Sequence, residues 1–113
     1  MSYLYLASPY THPDAAVRLE RYEQACKKAA GLMKKGHAVF SPIAHSHAVA
    51  AHLPLDLLMH HDFWMGQDIP ILRWATRLVV LTIDGWASSK GVMAEIDYAN
   101  NLRIPVAYEG VDE

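Results

Sequence analysis

Residues 78–99 read LVVLTIDGWASSKGVMAEIDYA, and they lay out a strand, a turn and a helix in that order. Leu78-Val79-Val80-Leu81 is an unbroken apolar run, the pattern of a strand covered on both faces. Asp84-Gly85 shapes a turn, and Ser88 or Ser89 supplies an N-cap for a helix predicted from about Ser89 to Leu102. A strand end that feeds a helix N-terminus is where open α/β sheets hold anionic ligands. One carboxylate, Glu95, falls about a turn inside this helix, four residues after Gly91.

The rest of the chain repeats the alternation. Tyr3 to Ala7 mixes aromatic and aliphatic residues as a short buried strand, ended by Ser8-Pro9-Tyr10 because proline cannot donate to a ladder. His12-Pro13 opens a long helix with Pro13 in its first turn. Ala15, Leu19, Tyr22, Cys26, Ala29 and Met33 recur at helical spacing and are the expected buried stripe. Gly36 ends the helix after Lys34 and Lys35. Ala38 to Ser41 is the second strand, stopped by Pro42. Ala44 to Leu53 reads as a loop into a short helix, and Pro54 to Gly66 as another helix with Leu55, Leu58, Met59 and Phe63 in the core. Asp68-Ile69-Pro70 reads as a fresh helix start with Asp68 as N-cap, before Ile71, Leu72 and Ala75 turn inward. Ile104 to Tyr108 is the last strand, and Glu109 to Glu113 an acidic, frayed tail.

Four strands alternating with helices predict one α/β domain over residues 1–113. It is a three-layer, flavodoxin-like or Rossmann-like parallel sheet in the order 2-1-3-4 with helices on both faces. The switch point lies between strands one and three, so Ala7-Ser8-Pro9-Tyr10 meets Asp84 through Gly91 there.

Composition narrows the function classes. The chain has 113 residues, 52% hydrophobic and 19% charged, with a formal charge of −2. That is enough for one core, and no run of Lys or Arg exceeds two residues, which argues against a nucleic-acid face. The low charge, the three tryptophans and the apolar Leu53 to Trp64 segment predict a homodimer or higher homo-oligomer. The single cysteine, Cys26, excludes an internal disulfide and reads as a buried inert thiol. The N-terminus lacks the basic leader of a signal peptide and no stretch reaches the length of a membrane span, so the expected location is cytoplasmic with no membrane partner.

Within the helix, side chains lean toward the N-terminus, so Glu95 overhangs the turn containing Gly91, where no side chain fills the space. The helix dipole favours its ionised form, which a carboxylate nucleophile needs. A solvated helix glutamate is the plain alternative, weakened by the apolar Val92, Met93, Ala94 and Ile96 around it. Ser88, Ser89 and Lys90 suit a phosphate, and N-capping is compatible with that role. No P-loop or dinucleotide fingerprint is present. Tyr5 is a core residue by default, but its phenol stands near the switch point, where a carboxylate is within its compass. Asp68 and Asp84 each divide between a local backbone role and a site role. Seven histidines raise a metal, yet the spacings of His45 with His47 and His60 with His61 place neither pair on one helical face, and no metal or cofactor is expected. His45 follows strand two at the same sheet edge and is a ligand-contacting candidate. Trp64, Trp74 and Trp86 read as core or interface residues, with Trp86 the one placed to meet a planar base.

YLASPY at residues 5–10, the long helix, and DGWASSKGVMAEIDYA followed by IPV together resemble the nucleoside 2-deoxyribosyltransferase-like superfamily, whose relatives include nucleotide N-hydrolases. The resemblance implies Glu95 as nucleophile, Tyr5 as the residue orienting it, and Asp68 as an acid acting at the nucleobase. It sets Ser89 where the phosphate-recognising branch has serine, and it offers no counterpart for His45. From their positions at the sheet edge and the helix start, Ser8, Tyr10, His45, Asp84, Trp86, Ser88, Lys90 and Gly91 are the further expected substrate contacts. Ser8-Pro9-Tyr10 departs from the glycine-containing turn common in that superfamily. The implied chemistry is cleavage of an N-glycosidic bond through a covalent glycosyl-Glu95 intermediate, with hydrolysis favoured over transfer to a second base. A nucleotide-binding module without turnover is the competing expectation from a different class.

Overall fold

The computed structural model describes residues 2–113. Strand β1 (Leu4–Ala7) lies between β2 (Val39–Phe40) and β3 (Arg77–Leu81), and β4 (Val106–Glu109) pairs with the far side of β3. All pairings are parallel, the order is β2-β1-β3-β4, and the register sets Leu4 against Arg77 and Leu78 against Val106. This is the sheet order that the alternation of apolar runs predicts.

Helix α1 (Ala15–Lys34) joins β1 to β2, and α5 (Lys90–Asn101) joins β3 to β4. Successive side chains along a strand point to opposite faces. Leu4, Leu6, Val79 and Leu81 therefore pack with Ala29 and Leu32 of α1 on one face. Tyr5, Ala7, Leu78 and Val80 pack with Leu72, Val92, Ile96 and Ala99 on the other. The connections leave β1 and β3 in opposite directions, and the gap between them is the switch point.

Both long helices close with the same backbone device. After α1, His37 N–H bonds to Leu32 O and Gly36 N–H to Met33 O, with Gly36 at φ +97°. After α5, Ile104 N–H bonds to Ala99 O and Arg103 N–H to Asn100 O. Here a non-glycine residue, Arg103, takes the left-handed position at φ 59°.

Several expected boundaries are corrected. Asp14, not the His12-Pro13 pair, caps α1, accepting from Ala16 N–H. The buried face of α1 is Ala25, Lys28, Ala29 and Leu32, whereas Leu19 and Met33 of the expected stripe are exposed and Cys26 is half-buried. The buried face includes a cation, Lys28, which an apolar stripe does not register. It is 1% exposed and neutralised by Glu109, its Nζ donating to Oε1 at 2.7 Å and to Glu113 O at 3.0 Å. Those bonds, with Lys35 Nζ to Glu113 O at 2.9 Å, tie down the tail that composition marked as frayed.

Between β2 and β3 the chain forms α2 (Pro42–Ala50), a single turn α3 (Leu55–Leu58) and α4 (His61–Leu72). The expected helix over Pro54 to Gly66 is broken at Met59-His60, where the His60 ring accepts from Phe63 N–H and starts α4. Leu55 and Met59, expected in the core, are 73% and 71% exposed. Asp68 is not an N-cap. It lies inside α4, which runs through Pro70, so proline marked a helix start in the sequence where it is an interior residue lacking one hydrogen bond.

Candidate functional site

Tyr5 points from the centre of the sheet into the face covered by α4 and α5, and it is fully buried. Glu95 reaches the same point from the second turn of α5 and is 4% exposed. The Tyr5 hydroxyl donates to Glu95 Oε2. Two residues ninety positions apart thus form one buried pair, as the apolar run, the helix spacing and the phenol at the switch point jointly suggested.

Asp68 is buried on α4 and close enough to act on both members of the pair. Burial raises its carboxyl from 3.8 to about 6. Burial raises the Glu95 carboxyl further, from 4.5 to about 8; the Tyr5 hydrogen bond pulls it down and the charge of Asp68 pushes it up. The Tyr5 phenol is raised by burial first, then by the charges of Glu95 and Asp68. At neutral pH the phenol is a hydrogen-bond donor, and the two carboxyls between them hold about one proton.

A cavity of about 210 Å³ opens beside this cluster, between β2, α2 and α4. Phe40, Phe63 and Trp64 give it aromatic walls; His45, Ser46, Gln67 and Asp68 give it polar ones. Phe40 also packs on Tyr5, ring centroids 5.8 Å apart, and on His45, 5.6 Å apart. Trp64 is fixed by its indole N–H, which donates to Leu58 O at 3.0 Å. The cavity is smaller than the roughly 300 Å³ at which whole-ligand pockets begin, and it suits one planar ring rather than an entire nucleotide.

The other expected contacts line the sheet edge rather than this cavity. Ser8, 6% exposed at the end of β1, keeps a buried hydroxyl with no partner among the described residues. Such an orphan costs free energy unless something binds it. Tyr10 turns to α2, its hydroxyl 2.9 Å from His47 Nδ1, and the His47 ring stacks on Tyr22 at 3.9 Å. Asp84 is exposed and its carbonyl accepts from Arg21. Trp86 packs on Tyr108, centroids 5.5 Å apart, toward β4, so its indole is engaged away from the cavity. Ser88 bonds back to Gly85 O, Ser89 caps α5 through Val92 N–H, and Lys90 is exposed. A methyl group on Gly91 would fit, in ordinary contact with Met65 and Ser89 at 3.9 and 4.0 Å.

Sequence reasoning missed the cavity walls Phe40, Phe63 and Gln67. Its one available signal was Phe40, the aromatic residue that ends β2. Among the described residues no group of three metal-ligating side chains is drawn together, and no helix is long and apolar enough to cross a membrane.

No curated protein matches the chain. Residues 2–110 match the family described as Domain of unknown function (DUF1937), and with nearly its whole length inside that match the chain belongs to this family.

Proposed function

We propose that this protein cleaves the N-glycosidic bond of a nucleotide or deoxynucleoside, with Glu95 as nucleophile. The observation that carries the reading is the buried Tyr5–Glu95 pair with Asp68 beside it at the rim of an aromatic cavity. It is joined by the resemblance of residues 5–10 and 84–99 to the nucleoside 2-deoxyribosyltransferase-like superfamily.

The base lies between Phe40, Phe63 and Trp64, with its leaving nitrogen toward Asp68. The sugar lies over Gly91, and an anionic group, where the substrate has one, meets Ser89 and the free N–H groups at the start of α5. Glu95 attacks the anomeric carbon as the bond to the base breaks; Asp68 donates its proton to the departing base, and water then releases the sugar. The reacting state has Glu95 ionised and Asp68 protonated. In the empty site the single proton rests mainly on Glu95, and a base accepting a hydrogen bond from Asp68 draws it across. The expected pH profile is therefore a bell with its optimum between about 6 and 8.

Incubation with a panel of nucleosides and monophosphates, followed by chromatography for free base, tests the reading. Loss of base release in Glu95→Gln is the expected result; intact substrates throughout, or unchanged turnover in that variant, would sink it. Transfer of the sugar to an added second base instead of water would make the activity a deoxyribosyltransferase. The proton that burial leaves on Glu95 at neutral pH favours a second reading, a nucleotide-binding module. That module gives ligand-induced thermal stabilisation with no base released. In either case Leu55, Met59 and Val49 are exposed apolar residues, and a second copy of the chain is the proposed cover for them. Sedimentation showing a monomer at all concentrations would exclude that.

A further inference from the structure

We propose that Arg21 is a positioning residue that sets the spacing of the two loops over the substrate end of the site. The proposal rests on the nucleotide reading above for what those loops hold. Arg21 lies on α1, remote in sequence from the Tyr5–Glu95 pair, and its guanidinium spans the switch point from the opposite face. One nitrogen donates to Thr11 O at 3.0 Å, in the loop after β1; the other donates to Asp84 O at 3.2 Å, in the loop after β3. Arg18 grips the first loop again through the carbonyls of His12 and Pro13.

The second loop is built to receive this guanidinium. Gly85 has φ +89°, a conformation in which glycine is favoured, and a side chain there would also collide with the Arg21 head group. Glycine is therefore favoured by the turn itself, and a side chain there would push the arginine head group aside. From Gly85 the chain makes a 3₁₀ turn, Trp86–Ser88, closed by Ser88 N–H to Gly85 O, and passes directly into Ser89 and α5. The position of Asp84-Gly85 is thereby handed on to Ser88, Ser89 and Gly91. The first loop follows Ser8, whose orphan hydroxyl lies at the end of β1. A planar fork can hold two carbonyls at a fixed separation, whereas an ammonium is a point donor on a flexible stem.

Arg21 touches neither Glu95 nor Tyr5, which are fixed by core packing. Its loss should loosen the binding edge and spare the chemistry. The test compares wild type, Arg21→Met and Arg21→Lys by amide hydrogen exchange and by KM and kcat with deoxyadenosine and thymidine 5′-monophosphates (Kd replaces KM where no base is released). In Arg21→Met the amides of Trp86, Ser88 and Ser89 should exchange about tenfold faster, with those of β1 and β3 unchanged. KM or Kd should rise about tenfold while kcat stays within about twofold, because the misplaced groups bind rather than react. Arg21→Lys, which keeps the charge and loses the fork, should fall between and remains informative if the methionine variant does not fold. Unchanged loop amides overturn the strut; faster loop exchange with unchanged KM or Kd overturns the positioning role. Wild type that neither binds nor cleaves these monophosphates or any member of the nucleoside and monophosphate panel above overturns that reading and the substrate part of this proposal together, while the exchange result still decides the strut.

Discussion

Replacing Glu95 by glutamine should flatten the dependence of stability on pH in the neutral range. Burial raises the Glu95 carboxyl from 4.5 to about 8, so between these values the folded protein holds a proton that the unfolded chain has released. Bound protons are then more numerous in the folded state, and stability falls as pH rises. The stabilisation is complete below about pH 4.5 and gone above about pH 8. Asp68 contributes with the same sign, but its raised carboxyl at about 6 confines that contribution to lower pH. The interval from about pH 6 to 8 therefore isolates Glu95. At about 1.4 kcal/mol per pH unit, the wild type should lose roughly 3 kcal/mol across it.

Glutamine keeps the size of the side chain, and its carbonyl oxygen can accept from the Tyr5 hydroxyl, but it does not titrate. The variant carries a constant penalty for burying its amide group, so the slope with pH is the diagnostic quantity and the absolute stability is not. Urea unfolding followed by tryptophan fluorescence at closely spaced pH values gives ΔG for each protein, with a common m-value confirming the same two states. For a domain stabilised by about 5–15 kcal/mol, a change of roughly 3 is well resolved. The expected result is a falling line for wild type and a nearly level one for Glu95→Gln above pH 6. Parallel lines would refute the claim that Glu95 is buried with its proton.

Other perturbations separate the remaining parts of the structure. Tyr5→Phe removes the hydrogen bond that lowers the Glu95 carboxyl, so ionising it should become harder and the fall in stability should continue to higher pH at the same slope; at low pH the loss should be about 1–3 kcal/mol by the same unfolding assay. Gly91→Ala meets only ordinary contacts and should raise stability by up to about 1 kcal/mol while weakening nucleotide binding, read by thermal unfolding with and without ligand. Glu109→Ala strands the buried Lys28 charge and should cost about 3 kcal/mol or more, whereas Lys28→Met removes the charge and keeps the stem, and should cost clearly less in urea titrations. Arg103→Gly relieves a left-handed residue at the end of α5 and should raise Tm by a few degrees.

The sequence was legible where one physical demand dominated each segment. Apolar runs at 78–81 and 3–7 must be covered on both faces, and with helices alternating between the strands this points to the parallel sheet seen here. Gly36 stops α1 because the next turn needs a left-handed residue; Arg103 does the same work at the end of α5 without any such signal, held there by Ile104 N–H to Ala99 O at 2.8 Å. Reading failed where tertiary contacts overrule local preference. Lys28 looks like surface until Glu109, eighty-one residues later, supplies its counter-charge. Pro70 looks like a first-turn residue until α4 runs through it.

That last misreading bears on the site itself. As an N-cap, Asp68 would spend its carboxylate on backbone N–H groups and have nothing left for a ligand. Inside α4 it has no such duty, because interior N–H groups are already bonded within the helix. Its burial is then unexplained by local structure, and on the proposed function a carboxyl that is buried, raised to about 6 and set against a cavity wall is the group to give its proton to the base. The same reasoning applies to Glu95. A helix glutamate facing solvent would need no tyrosine from the middle of the sheet, yet Tyr5 gives up its place as an inert core residue to donate to it. Two carboxyls that cost stability where they stand are explained by use more readily than by packing.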